Sequence, residues 1–197
     1  MFIYLHGFAS SAGSEKAREL KAMLTDYRFM ALTYPAHRIE QALATLRDEL
    51  HRHIRQLLPG EPLVLIGSSL GGFYAKLLAR EFDAINHVVM INPALTPSRT
   101  LQQVIGTNRN YSTGEEFVLT QEEVAAFQPY EALELPPTTR LTVLLDEGDE
   151  AIPYQQAYEK YRESGRVVVY PGGSHRFEHL TEAVGLIEDA HRSGVSP

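Results

Sequence analysis

The residues with the clearest chemical potential lie at Gly67-Ser68-Ser69-Leu70-Gly71, a G-x-S-x-G pattern with the apolar run LVLI before it and the helix-forming stretch FYAKLLA after it. A strand that runs through a tight turn into a helix holds the middle residue in a strained conformation, its side chain exposed beyond the strand end. Side chains two positions either side would collide in that turn, which accounts for Gly67 and Gly71. Ser69 is the candidate nucleophile, placed at a helix N-terminus where developing negative charge is favoured. Ser68 lies beside it but off the frame. The chain has no cysteine, so no thiolate competes for the role, and neither a disulfide framework nor a cysteine-based metal site is available.

A serine hydroxyl needs a base, and the base needs an orienting carboxylate. Two later strands end in suitable groups: RLTVLLDEGDEAIPY in acids, and RVVVYPGGSHRFEH in Gly172-Gly173-Ser174-His175. His175 is the candidate base. Four acids compete for the remaining role: Asp146, Glu147, Asp149 and Glu150. Asp149 is favoured, because Gly148 lets the chain turn and Ile152-Pro153 follow in the spacing D-x-x-hydrophobic-P; Asp146, where the strand ends, is the reserve. The chain order Ser69, Asp149, His175 is the order used by α/β hydrolases. The first strand ends in Leu5-His6-Gly7-Phe8. The loop after such a strand supplies one oxyanion-hole N–H and the residue after the nucleophile the other, here the amides of Phe8 and Leu70. His6 reads as a structural hydrogen-bonding residue of that loop. No cofactor is called for.

A different chemistry competes near the C-terminus. His175-Arg176-Phe177-Glu178-His179 reads H-x-x-E-H, a zinc motif when both imidazoles lie on one helix. The preceding Pro171-Gly172-Gly173 puts it at a strand-to-helix loop, and a zinc-dependent hydrolase would leave GSSLGG unexplained. His179 is instead expected in the first turn of the last helix. A catalytically inactive binding module is the third reading, and nothing favours it, because all three triad residue types are present. His51 and His53, two apart on a helix, read as a solvated face.

These groups can meet only if the surrounding elements carry them to one edge. Strands are expected at Phe2–Leu5, Arg28–Thr33, Pro62–Ile66, His87–Asn92, Arg140–Leu145 and Arg166–Tyr170, with helices near 14–25, 39–57, 70–82, 153–163 and 179–192. Ser14 and Thr181 are the expected N-caps. Runs such as LVLI and VVMI are apolar on both faces, as in parallel strands covered by helices on either side. The alternation predicts an α/β fold of about six mainly parallel strands, with each candidate residue just past a strand's carboxyl end. Residues 93–138 interrupt it with a long insertion that includes TNRNYSTGEE and a short helix opened by the Thr120/Glu123 capping box. That insertion reads as a lid over the acyl pocket, with Leu95, Tyr111, Phe117, Phe127 and Tyr130 as candidate walls; the substrate-binding residues themselves stay open.

The 197 residues and 22.1 kDa suit one domain, 1–197, with a folded surface of about 9,000 Å². Lys and Arg number 18 against 25 Asp and Glu, a formal charge of −7, and the basic footprint of a nucleic-acid binder is missing. MFIYLHGFAS lacks a basic n-region, and no apolar run reaches the ~18 residues of a membrane span. A cytoplasmic protein with a small-molecule substrate, no nucleic-acid partner and no membrane attachment is expected; its oligomeric state is not readable.

YLHGFASSAGSEK, GSSLGGFYAKLLA, INPA, YSTGEEFVL, GDEAIPYQQAYEKY and GGSHRF together resemble the YqiA-type bacterial esterases of the α/β-hydrolase superfamily, from about Tyr4 to Phe177. The resemblance carries the family's nucleophile onto Ser69, its acid onto Asp149 and its base onto His175. It implies a compact α/β-hydrolase core that begins at the strand before HGF. It also implies hydrolysis of carboxylic esters, with acyl-CoA thioesters as further substrates. Pro153 departs from the family pattern outside these three positions.

Overall fold

Successive residues of a strand face opposite sides of its sheet, and the first strand of this chain spends that alternation on two separate cores. In the computed structural model, which describes residues 1–194, β1 (Phe2–Leu5) sends Ile3 and Leu5 to one face and Phe2 and Tyr4 to the other. The next strand over, β3 (Leu63–Ser68), does the same with Leu63 and Leu65 against Val64 and Ile66. Both strands are fully buried, as their uninterrupted apolar runs require.

Six strands form one parallel sheet. The order is β2 (Phe29–Leu32), β1, β3, β4 (Ile85–Ile91), β7 (Arg140–Asp146) and β8 (Arg166–Tyr170). Helices α1 (Glu15–Met23) and α8 (Leu180–Arg192) cover one face; α2 (Ile39–Ile54), α3 (Leu70–Ala79) and α7 (Tyr154–Tyr161) cover the other. Every residue of α3 is buried, so this helix forms the inner layer behind the sheet's centre. The accessible surface is 9523 Å².

The expected strands and helices are all present, with ends shifted by a few residues. Ser14 caps α1, accepting from the Ala17 amide at 3.3 Å. Thr181 does not cap α8. That helix starts one residue earlier, at Leu180, because the chain before it is already fixed to the Asp146 carboxylate through Glu178 N–H and His179 Nδ1. His53 also departs from expectation: it is 6% exposed on the inner side of α2, whereas His51 is exposed and packs edge-on against Phe82.

Residues 93–138 fold into short elements, α4 (Pro97–Thr100), a 3-10 turn (Leu101–Val104), the antiparallel hairpin β5 (Gly106–Arg109) and β6 (Glu116–Leu119), α5 (Gln121–Ala125) and α6 (Gln128–Glu131). Both halves of the Thr120/Glu123 capping box are formed, at 3.2 and 2.9 Å. The tract TNRNYSTGEE carries no strand signal, yet it builds the hairpin and its turn. The turn is local chemistry: Asn110 Oδ1 accepts from the amides of Ser112 and Thr113, and Gly114 takes φ +77°. Among the described residues, no helix is long and apolar enough to cross a membrane.

Candidate functional site

Ser69 sits between β3 and α3 with φ 54° and ψ −121°, a conformation that costs a non-glycine residue about 1–3 kcal/mol. Its backbone is clamped so that the strain cannot relax. Ser69 N–H donates to Ile91 O at 2.9 Å, and Ser69 O accepts from Gly72 and Ala94 at 3.0 and 3.1 Å. The flanking glycines are required by contact. A Cβ on Gly67 would lie 2.3 Å from Gly71 O, and one on Gly71 would lie 2.0 Å from Leu5 O. The turn is thereby pressed against the end of β1.

The other two residues arrive from the ends of β7 and β8, and the three side chains meet. Ser69 Oγ is 3.0 Å from His175 Nε2, and His175 Nδ1 lies 3.0 and 2.9 Å from the two oxygens of Asp149. A carboxylate only accepts, so the Asp149 contact puts the imidazole proton on Nδ1 and leaves Nε2 to accept from the serine hydroxyl. Asp149 is 1% exposed on its side chain, His175 27%. The amides of Ala151 and Ile152 also donate to Asp149 Oδ1, at 2.9 and 2.8 Å, so its buried charge is met by hydrogen bonds on every side. This chain-local turn explains why the D-x-x-hydrophobic-P spacing suits the position.

Asp146, the reserve acid, does not reach His175. Its carboxylate is engaged by the Ser174 and Glu178 amides and by His179 Nδ1. Glu150 touches His175 only through the backbone, accepting its N–H at 3.0 Å. Glu147 is exposed.

The loop after β1 lies directly over the serine. A Cβ on Gly7 would be 3.2 Å from Ser69 Cβ and 3.6 Å from its Oγ, so any larger residue here would crowd the serine. Phe8 follows, and its amide has no acceptor among the described residues. Leu70 is the first residue of α3, so its amide has no partner within the helix. His6 is buried under this loop. Its Nδ1 donates to Gly7 O at 2.8 Å, its Nε2 accepts from Tyr34 N–H at 3.4 Å, and its ring stacks on Tyr34. Burial pushes its pKa down to about 4, which keeps the imidazole neutral and structural.

The expected pocket walls separate. Phe117, on the hairpin, packs edge-on against Phe8 and stacks on His37. Phe127 is core instead, against Phe73 and Tyr74. Tyr111 is 89% exposed; Leu95 packs partly against the core; Tyr130 gives its hydroxyl to Glu40. His37, next to Phe117, had no motif to mark it. The hairpin is tied to the Gly7 loop by Tyr111 N–H to Ala9 O at 2.8 Å and Asn110 Nδ2 to Ser10 O at 2.9 Å.

The H-x-x-E-H segment is not a helical turn. It is a loop ending at the N-cap of α8, and its two imidazoles bind different carboxylates, His175 to Asp149 and His179 to Asp146. Among the described residues, no three His, Asp or Glu side chains gather as a metal would need.

A parallel sheet wrapped by helices on both faces, with a strained serine between its central strand and a buried helix, defines the α/β-hydrolase fold. Solved structures share it. Est1E from Butyrivibrio proteoclasticus aligns over 100% of this chain and 88% of its own at TM-score 0.75 and 18% identity. A monoacylglycerol lipase from Paleococcus ferrophilus aligns over 98% and 94% at TM-score 0.72, again at 18% identity. Within that fold, the chain belongs to the uncharacterised protein family UPF0227, whose family model matches residues 1–189. Relatives are a UPF0227 protein of Vibrio cholerae, 26% identical over 92% of this chain and 93% of its own, and the UPF0227 protein YcfP of Escherichia coli, 23% identical with the same coverage.

Proposed function

We propose that this protein is a serine hydrolase that cleaves carboxylic esters, thioesters included, of small acyl substrates, without a cofactor. The observation that carries the reading is the continuous relay from Ser69 Oγ through the His175 imidazole to Asp149, each link about hydrogen-bond length. A relay of this kind serves nucleophilic acyl transfer. His175 Nε2 takes the hydroxyl proton as Ser69 Oγ attacks the ester carbonyl. The amides of Phe8 and Leu70 receive the oxyanion, with the α3 N-terminus adding favourable potential. Nε2 then returns the proton to the departing alcohol or thiol, which leaves an acyl-serine. Water, deprotonated by the same nitrogen, attacks that ester and releases the acid and the free serine. Asp149 holds the proton on Nδ1 throughout and stabilises the imidazolium formed in each half-reaction.

The insertion 93–138 is the lid of this site in our reading. Support comes from the hairpin's hydrogen bonds to Ala9 and Ser10 and from Phe117 beside Phe8, which set an aromatic wall next to the oxyanion loop. The acyl group is the part of the substrate that wall would meet.

The test uses p-nitrophenyl esters and acyl-CoA thioesters of graded chain length, with Ser69→Ala as the blank. The variant should lose about 10⁴–10⁶-fold in turnover and all labelling by a fluorophosphonate. Turnover that survives in Ser69→Ala, or loss of activity to a chelator alone, would remove the serine mechanism.

A further inference from the structure

Asp146 is a carboxylate with no solvent exposure, and the relay described above does not use it. A buried charge needs donors, and this one has three. Oδ2 accepts from Ser174 N–H at 3.2 Å and Glu178 N–H at 2.8 Å, and Oδ1 from His179 Nδ1 at 2.8 Å. The two amides belong to the loop that carries His175, one on its immediate N-terminal side and one three residues beyond. That loop has no regular secondary structure of its own. It passes so close over the carboxylate that a Cβ on Gly173 would fall 1.9 Å from Oδ2, and Gly173 adopts φ +71° to do so.

Asn92 completes the arrangement from the neighbouring strand end. Its Oδ1 accepts from Asp146 N–H at 2.9 Å, and its Nδ2 donates to Ser174 O at 3.0 Å and His175 O at 3.4 Å. Asn92 holds φ 41°, a conformation that asparagine tolerates better than most residues. The His175 carbonyl is therefore held by Asn92 and its amide by Glu150 Oε2, while Ser174 and Glu178 on either side of it are fastened to the Asp146 carboxylate. His179, stacked on Tyr170 at 5.0 Å, is the carboxylate's side-chain donor, and its pKa is raised chiefly by the hydrogen bond to Asp146.

We propose that Asp146, with His179 as its donor and Asn92 as its backbone anchor, is a positioning residue that sets where the His175 imidazole sits between Ser69 and Asp149. This rests on the serine-hydrolase reading for its consequence, although not for its geometry. A side chain that Asp149 holds at one end still swings if its own main chain moves, and a misplacement of about 1 Å can cost 10²-fold in rate.

The experiment compares Asp146→Ala, Asp146→Asn, His179→Ala and His179→Asn on p-nitrophenyl acetate, with the His175 imidazole followed by NMR. Asp146→Ala should lower kcat about 10–100-fold with little change in KM, and should broaden or shift the His175 ring resonances. Asp146→Asn keeps an oxygen for the two loop amides and should recover much of the loss. His179→Asn keeps an N–H where Nδ1 stood and should outperform His179→Ala. If Asp146→Ala does not fold, the His179 pair and Asp146→Asn decide. Wild-type kcat and unchanged His175 resonances in the folded variants would overturn the proposal. Should Ser69→Ala and His175→Ala keep full turnover, the hydrolase reading falls alone, and the resonances still report whether Asp146 positions the ring.

Discussion

Two aspartates three residues apart have opposite tasks. Asp149 turns its carboxylate to the His175 side chain, and Asp146 turns its own to the main chain of the same loop. Asp149→Asn should reduce kcat about 10⁴-fold, because a carboxamide can donate to Nδ1 and so favour the wrong tautomer. Asp146→Asn should be much milder, and steady-state kinetics on one ester ranks the pair. On the proposed reading, Ser69 sets activity against stability at the same scale. Its φ of 54° and ψ of −121° are strained for any side chain but open to glycine. Ser69→Gly should abolish turnover yet stabilise the fold by about 1 kcal/mol, or ~2–4 °C in Tm. A calorimetric scan with no gain would mean that the turn is not under strain.

At the scale of elements, the site exists because four strand ends and one helix start approach more closely than side chains usually allow. The junction of β1 with α3 is the tightest approach of backbone to backbone, since a Cβ on Gly71 would meet both Leu5 O at 2.0 Å and His6 O at 2.8 Å. Neither oxygen can yield, because both belong to backbone next to a paired strand. Gly71→Ala should therefore destabilise by ~3 kcal/mol in chemical denaturation and displace the Gly7 loop from Ser69. The hairpin of the insertion works differently. Its strands have four residues each, and it is held by an asparagine turn and two hydrogen bonds to the 9–10 backbone. Its anchors are side chains, Phe117 on Phe8 and His37 and the fully buried Leu119, more than its own short ladder.

Across the whole molecule, burial of histidines links stability to pH. His6 and His87 are each pushed from 6.5 down to about 4 by burial, so the folded chain refuses protons that the unfolded chain accepts. Their stabilisation is complete above pH 6.5 and is lost as pH falls from 6.5 towards 4. For a shift of that size the limiting loss is about 3 kcal/mol per imidazole. Urea midpoints should fall from pH 6.5 down to about 5, before most carboxylates begin to titrate. His87→Gln should make the descent shallower. A midpoint that stays flat from pH 6.5 to 4.5 would contradict the burial of both rings.

What could be read from the amino acids alone was whatever depends on neighbours in the chain. Apolar runs and glycine spacing depend on local sterics, so six strands, the main helices, the elbow at Ser69 and the Asp149 turn are all legible in the sequence. The hairpin in 106–119 was not legible, because its strands are short and polar and are stabilised by contact with the distant 9–10 loop. Neither was the buried place of His53, nor the N-cap of α8 at His179 in place of Thr181, which is fixed to a carboxylate more than thirty residues upstream. Tertiary structure alone decided what Asp146 does, which is to receive the Ser174 and Glu178 amides and His179 Nδ1. Local spacing set Asp149 apart, whereas every donor on the Asp146 side chain belongs to the segment after β8, about thirty residues on, which only folding brings there.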